Sequence, residues 1–202
     1  LSAMTGLKTI VLSMPIKQKE NQHDLSLKHQ EWLIKKFKNV EAHTINLDNL
    51  FKTFSSTLNK FDNEHGFANS RARLRMTTLY QVAAANKGIV VGTGNKVEDF
   101  GVGFYTKYGD GGVDISPIAD CNKTEVWELG KELGILKEII DAPPTDGLWD
   151  DGRTDEGQLG FKYKDLEEAM INPDSPHRQE YEKIRKQNLH KMEPIPVCKI
   201  PS

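Results

Sequence analysis

Residues 88–99 read Gly88-Ile89-Val90-Val91-Gly92-Thr93-Gly94-Asn95-Lys96-Val97-Glu98-Asp99. The opening run is short, apolar and β-branched, and glycines bound it, which is the pattern of a buried strand. Residues 93–99 then lie beyond the carboxyl end of a central strand, where open α/β sheets bind their ligands. The residue types suit a polyanion. Glycines let backbone approach closely, hydroxyls and lysines donate to phosphate, and one carboxylate is placed to hold a metal. Thr106-Lys107-Tyr108-Gly109-Asp110-Gly111-Gly112-Val113-Asp114 and Asn122-Lys123 extend the same chemistry downstream. Together they point to nucleotide phosphates.

Outward from this stretch the chain alternates. Residues 8–14 read as a strand closed by Pro15, and 24–37 as a helix with Trp32, Leu33 and Phe37 on one side. Residues 43–47 alternate as a strand, and Asp48 is placed to cap a helix carrying Leu50, Phe51, Phe54 and Leu58. A longer helix over 69–86 repeats Met76, Leu79, Tyr80 and Ala83 and stops at Gly88. Asn122 followed by Glu125 resembles a capping box, opening a helix with Val126, Leu129 and Leu133 that ends at Gly134. Ser175-Pro176 starts a last helix running to about Lys191. Strands separated by helices imply an α/β fold, a parallel sheet flanked by helices on both faces.

With 202 residues, 37% of them hydrophobic, the chain can bury one substantial core, and its length favours one domain. A net charge of −2 and a pI near 6.3 leave no global basic field, so neither nucleic acid nor an anionic membrane is expected as a partner. Cys121 and Cys198 make no disulfide framework and no ligand cluster, which fits a reducing, cytoplasmic setting. No apolar run approaches the ~18 residues of a membrane span, and the first residues show no signal-peptide pattern.

The string from Thr106 to Asp114, behind a strand, Gly92-Thr93 and a Glu five residues past that threonine, resembles the core of the NAD synthetases. These belong to the ATP pyrophosphatase group of adenylating enzymes, whose fold is Rossmann-like and similar to the adenine nucleotide alpha hydrolases. The resemblance covers roughly residues 7–196. It implies ATP-dependent amidation of deamido-NAD with ammonia through an NAD-adenylate, giving NAD, AMP and pyrophosphate, in a homodimer. By family position Thr93, Lys123 and Thr145 contact ATP phosphates, Gln18 faces adenine, and Glu98 binds Mg²⁺. Asp110 and Lys107 are the catalytic residues, a carboxylate that holds ammonium and accepts its proton and a lysine that stabilises developing charge. Asn69, Arg73, Tyr80, Lys107, Asp114, His190 and Lys191 match deamido-NAD positions, with the His190-Lys191 pair reaching a neighbouring subunit's substrate. Three arginines at spacing two, Arg71, Arg73 and Arg75, cannot all share a helical face, so some serve solvent or a neighbouring subunit. The resemblance carries over Arg73 by family position, and the others default to solvated charge.

The sequence departs from the family in three places. Ser13-Met14-Pro15 stands where many members have Arg-Leu-Pro, which removes an arginine from the ATP side, and Met192 replaces an arginine after His190-Lys191. The family's Ser-Gly-Gly-x-Asp-Ser phosphate loop does not occur, and Leu1-Ser2-Ala3-Met4-Thr5-Gly6 looks like the end of the helix that comes after it. The expectation is a single NAD synthetase domain over 1–202 that is incomplete at its N-terminus. Residues 141–155 fit the family's acidic loop, which closes over the site as long glycine-rich lids do. Three other readings stand beside the ammonia-dependent ligase. One is a catalytically inactive or regulatory nucleotide-binding remnant, and another is the synthetase part of a glutamine-dependent enzyme. The last is a dinucleotide-binding oxidoreductase, which lacks the required G-x-G-x-x-G spacing.

Overall fold

The computed structural model describes residues 1–200. Strands β1 (Thr9–Ser13) and β2 (Val40–Thr44) pair in parallel, with Thr9 opposite Val40 and Ser13 opposite Thr44. Helix α1 (Glu20–Lys36) connects them and packs on both. Its buried Gln30 amide donates to the carbonyls of Val11, at 3.3 Å, and His43, at 3.0 Å, fixing the helix to the sheet.

The paired run therefore precedes the alternating stretch 43–47. Beyond Thr44 the chain stays beside β1, with Ile45 N–H on Ser13 O at 2.8 Å and Leu47 N–H on Pro15 O at 3.0 Å. Pro15 has no N–H to return, so the ladder ends there. Helix α2 (Asp48–Thr57) opens with Asp48 as its first residue and Leu47 as its cap. The Asp48 carboxylate instead accepts Lys17 N–H at 2.6 Å. Helix α3 (Glu64–Ala85) begins ahead of residue 69 because the Asn63 side chain caps it, accepting Gly66 N–H at 2.7 Å. Ile16, Leu47 and Phe51 form the core between these helices and the sheet, with Phe67 and Leu74 against them.

Residues 88–92 make one parallel bridge, Val91 to Ile115, in place of a full strand. Val90 is buried, but Ile89 is 60% exposed. The Asp114 carboxylate takes Val90 N–H at 2.7 Å, and Pro117 cannot donate the next rung, so pairing stops on both sides of Ile115.

The remaining elements are helices joined by loops: a π-type segment (Lys96–Val102), α4 (Lys123–Glu132), α5 (Lys137–Ile140), α6 (Asp155–Leu159), α7 (Tyr163–Ile171) and α8 (Arg178–Met192). A second core joins the π segment to α7 and α8 through Val97, Val102, Tyr163, Leu166, Ala169 and Tyr181. Ser2–Thr5 is a short 3₁₀ helix closed by Gly6 at φ 79°. Among the described residues no helix is long and apolar enough to cross a membrane.

Candidate functional site: two cavities on either side of the glycine loop

The first cavity, of about 570 Å³, lies beyond the end of β1 and is bordered by Gln18, Lys123, Trp127, Thr145 and Asp146. Helix α3 delivers arginines to this side. Arg75 donates through Nε to Met14 O at 3.0 Å and through Nη2 to Gln18 Oε1 at 3.2 Å. Burial, with Arg71 adding, pulls its pKa down to about 10, so it stays charged at neutral pH. Arg71 is buried beside Phe51, its guanidinium 4.9 Å from that ring, and donates to Asp150 Oδ1 at 2.8 Å. Its Nε and Nη1 find no partner.

Arg71 and Arg75 are therefore not solvated charge. Each lies three residues past a buried alanine, Arg71 after Ala68 and Arg75 after Ala72, on the inner side of α3, while Arg73 is exposed. Arg75 brings a guanidinium to the place where Ser13-Met14-Pro15 lacks one. Spacing alone could have found this, since 68, 72 and 76 are small or apolar and 71 and 75 share their side.

Loop 141–154 covers the cavity and is tied down at several points. Asp150 meets Arg71 and, at 3.7 Å, Lys17. The Lys19 ammonium donates to Asp151 O at 2.7 Å. The Trp149 ring lies 5.8 Å from that of His65. Thr145 Oγ1 donates to Arg153 O at 3.0 Å and accepts from Gly147 N–H at 3.3 Å. Gly147 has φ 61°, and a Cβ there would come 2.7 Å from Gln18 Nε2, so loop and cleft wall need a glycine at that contact.

At the inner end of this cavity Glu98 sits in the π segment. Thr93, exposed, precedes it, and the segment is capped by Asn95, whose Oδ1 accepts Val97 N–H at 3.0 Å and Glu98 N–H at 3.1 Å. Glu98 Oε1 receives Lys123 Nζ at 2.9 Å and Tyr163 Oη at 2.6 Å. Lys123 is the first residue of α4, and Glu125 Oε2 accepts the N–H of the cap Asn122 at 2.7 Å. A lysine in a first turn opposes the helix dipole, so an anion beside it is needed, and here Glu98 is that anion. Tyr163 Oη also reaches Asp155 Oδ2 at 3.2 Å.

Asp155 is 6% exposed, and its Oδ1 has no partner. Burial, with the Glu98 charge next, pushes its pKa up to about 6. Its place in the site is not legible in the sequence, where Thr154-Asp155-Glu156 signals only a capped helix start; Thr154 Oγ1 does accept Gly157 N–H, at 3.1 Å. Among the described residues no group of three or more His, Cys, Asp or Glu side chains is arranged to hold a metal by itself.

Loop 106–114 borders the second cavity through Tyr108 and Gly112, and its Asp110 lies close enough to Asp146 of the first to feel that charge. Asp110 Oδ1 accepts Thr106 N–H at 3.0 Å, and Thr106 Oγ1 donates to Asn69 Oδ1 at 2.6 Å. Burial raises the Asp110 pKa, while its Thr106 N–H bond and the Lys191 charge pull the other way. Tyr108 holds φ 65°, and a Cβ on Gly109 would lie 2.9 Å from Ala72 Cβ, so the loop packs directly on α3. Arg73 Nε donates to Lys107 O at 3.2 Å. Tyr80 Oη donates to Asp114 Oδ1 at 3.1 Å.

The end of α8 grips the same loop. Lys107 Nζ donates to His190 O at 2.6 Å, Lys191 Nζ to Gly103 O at 2.8 Å and Tyr105 O at 2.9 Å, and Tyr105 Oη to Lys191 O at 2.6 Å. The second cavity, of about 540 Å³, is bordered by Met76, Thr77, Tyr80, Gln81, Tyr108 and Gly112. The structure thus gathers Gln18, Glu98, Lys123 and Thr145 on one side. Asn69, Arg73, Tyr80, Lys107, Asp110, Asp114, His190 and Lys191 cluster at the loop and the other side.

A family model described as NAD synthase matches residues 2–200. The chain is similar to the NH(3)-dependent NAD(+) synthetase of Carboxydothermus hydrogenoformans, 44% identical over 66% of this chain and 56% of that protein. It is likewise similar to that of Alkaliphilus oremlandii, 42% identical over 80% of this chain and 62% of that one. The chain therefore spans less than two thirds of the length of these curated relatives. Among solved structures, NMN synthetase from Francisella tularensis superposes with a TM-score of 0.87 at 31% identity, over 98% of this chain and 81% of that one. This likeness covers the helix-flanked parallel sheet, both cavities and the loop between them, and with the family model spanning nearly every residue, the chain belongs to the NAD synthase family.

Proposed function

We propose that this protein amidates the nicotinate carboxylate of deamido-NAD with ammonia at the expense of ATP, yielding NAD, AMP and pyrophosphate. One observation carries the reading: the loop that borders one nucleotide-sized cavity, of about 540 Å³, carries Asp110 close enough to the other, of about 570 Å³, to feel the charge of Asp146 in its wall. The reaction needs that arrangement. A carboxylate on one nucleotide attacks the α-phosphorus of the other and expels pyrophosphate, and ammonia then displaces AMP at the acyl carbon.

In this assignment Gln18 faces adenine, and Thr93, Lys123 and Thr145 serve the phosphates. Asn69, Arg73, Tyr80, Asp114, His190 and Lys191 hold the acid nucleotide. Asp110 holds ammonium and accepts a proton as the amine attacks, and Lys107 stabilises charge at the acyl oxygen. Mg²⁺ is assigned to Glu98. Its hard carboxylate oxygens, backed by the unpartnered buried oxygen of Asp155, fit that ion, which when bound would neutralise phosphate charge. We place the protein in the cytoplasm as a homodimer. The second cavity supports the homodimer, since one wall carries Tyr80 at 38% and Tyr108 at 59% exposure and a second copy would cover them.

A second reading, a mononucleotide acid as the substrate, is favoured by the extent of the likeness to the Francisella NMN synthetase. Supplying ATP, Mg²⁺ and ammonium with either deamido-NAD or nicotinate mononucleotide, and separating products by chromatography, decides between them. AMP with NAD supports the first reading and AMP with NMN the second. ADP in place of AMP would sink both.

A further inference from the structure

We propose that Asp155, which no family position in the sequence assigns, is the second carboxylate of the divalent-cation site at Glu98. The inference rests on the assignment of Mg²⁺ to Glu98 and adds a residue to that site. It comes from donors and acceptors. Tyr163 Oη carries one proton, yet it is the hydroxyl shared by Glu98 Oε1 at 2.6 Å and Asp155 Oδ2 at 3.2 Å. The shorter contact belongs to Glu98, which also has Lys123 at 2.9 Å. Asp155 is left with the longer share of one proton for its Oδ2 and with nothing for Oδ1.

A carboxylate that is only 6% exposed and this poorly supplied is costly unless a cation completes it. Its backbone does not explain its burial either. Asp155 N–H is satisfied by Pro144 O at 3.0 Å and the helix is capped by Thr154, so Asp155 is not needed as a cap, and the helix dipole would favour its charge at an exposed first-turn position as well.

The absence of any group of three metal-binding side chains among the described residues agrees with this chemistry. Mg²⁺ in phosphoryl-transfer sites keeps several waters and takes only one or two carboxylates from the protein, the substrate phosphates filling other positions. Glu98 and Asp155 make such a pair. They come from separate elements that meet at the Tyr163 hydroxyl, Glu98 from the π segment and Asp155 from the residue next after the covering loop 141–154. A cation held by both would therefore tie the π segment to the end of that loop.

The test is binding of Mn²⁺ alone, counted by electron paramagnetic resonance of the free ion, on the wild-type protein and on Asp155→Asn, Glu98→Gln, Tyr163→Phe and the surface control Asp174→Asn. Nucleotide-free binding keeps this test separate from the amidation assay, so failure of one leaves the other standing. Asp155→Asn and Glu98→Gln are each expected to weaken one Mn²⁺ site by about 10-fold or more. Tyr163→Phe, which removes the competing hydroxyl and keeps both carboxylates, should bind as tightly as wild type or tighter, and Asp174→Asn should not differ. Wild-type affinity in Asp155→Asn overturns the proposal, as does a wild-type protein that binds no Mn²⁺. An equal loss in Tyr163→Phe also overturns it, because the hydrogen-bond network and not the carboxylate pair would then set the affinity.

Discussion

The two cavities flank one loop and have similar volumes, yet they are built differently. The cavity at Gln18, Lys123 and Thr145 is walled on opposite sides by this chain, and a loop pinned through Asp150, Asp151 and Trp149 covers it. The cavity at Tyr80 and Tyr108 has one wall, α3 with the edge of the glycine loop, and its aromatic residues face outward. At the first, Glu98 and Lys123 pair with side chains only 15% and 17% exposed; at the second, the hydrogen bond from Tyr80 to Asp114 is exposed. Low-dielectric surroundings make electrostatic contacts strong and their loss expensive. Substitutions should therefore be severe at the enclosed cavity and mild at the open one.

The largest effect is expected at the boundary between them. Asp110→Asn should slow amide formation by about 10²-fold or more, the scale of a general base, while a single turnover still releases pyrophosphate. Equal loss in both halves, measured by rapid quench, would make Asp110 a residue that shapes the loop and would blur the boundary. Next comes the enclosed cavity. Glu98→Gln keeps the volume and an acceptor for Tyr163 but leaves the largely buried Lys123 without its anion, so the melting temperature should fall, and turnover should fall at least ~10²-fold. Activity near wild type at limiting Mg²⁺ would remove the distinction between the two sides.

The covering loop supplies a stability test. Asp150→Asn leaves the buried Arg71 without its counter-ion and should cost about 1–2 kcal/mol, a figure held down because the Asp150 side chain is 63% exposed. The hydrogen bond from Arg71 holds the Asp150 pKa below the usual carboxylate value. A depressed carboxylate stabilises the fold fully above its unfolded pKa of about 4 and loses that contribution as pH falls through the folded value. The difference in melting temperature between wild type and Asp150→Asn should accordingly be flat from pH 7 to 5 and vanish in stronger acid. A difference that instead grows below pH 4 would show that Arg71 does not hold this carboxylate.

The smallest effect belongs to the open cavity. Tyr80→Phe removes a hydroxyl from Asp114 and should raise KM for the acid nucleotide by about 2- to 10-fold, with kcat unchanged, which is the weight of one ordinary hydrogen bond. A fall in kcat of Glu98 size would mean that the cavity is enclosed in the working protein.

How much of this was legible depended on whether the signal was local. Helices α2 and α4 follow their apolar spacing closely, and Asn122 with Glu125 opens α4 as read because that signal is local, whereas Asp48 opens α2 without capping it and α1 starts four residues earlier than its apolar spacing, at Glu20. Residues 88–92 read as a strand on composition but form one bridge, since what they pair with, including Asp114 and Pro117, is remote in sequence. The motif residues of the loop came from resemblance, and the structure brings them together. Arg71, Arg75 and Asp155 were missed for a common reason. A charged residue in a sequence is read as solvated; the spacing of Ala68, Ala72 and Met76 already marks the side of α3 that Arg71 and Arg75 share, whereas only tertiary packing, with Tyr163 of α7 over it, encloses Asp155.

The grip of α8 on the glycine loop has a consequence in time as well as in space. Lys107, Lys191 and Tyr105 are each bonded across to the backbone of the other element, so the last turn of α8 and residues 103–107 cannot open separately without breaking charged or phenolic hydrogen bonds. Segments linked in this way fluctuate as one cooperative unit, and their backbone amides exchange with solvent at a common rate. Fraying at the end of α8, nearly ninety positions along the chain from the loop, would then set how often the loop around Asp110 relaxes.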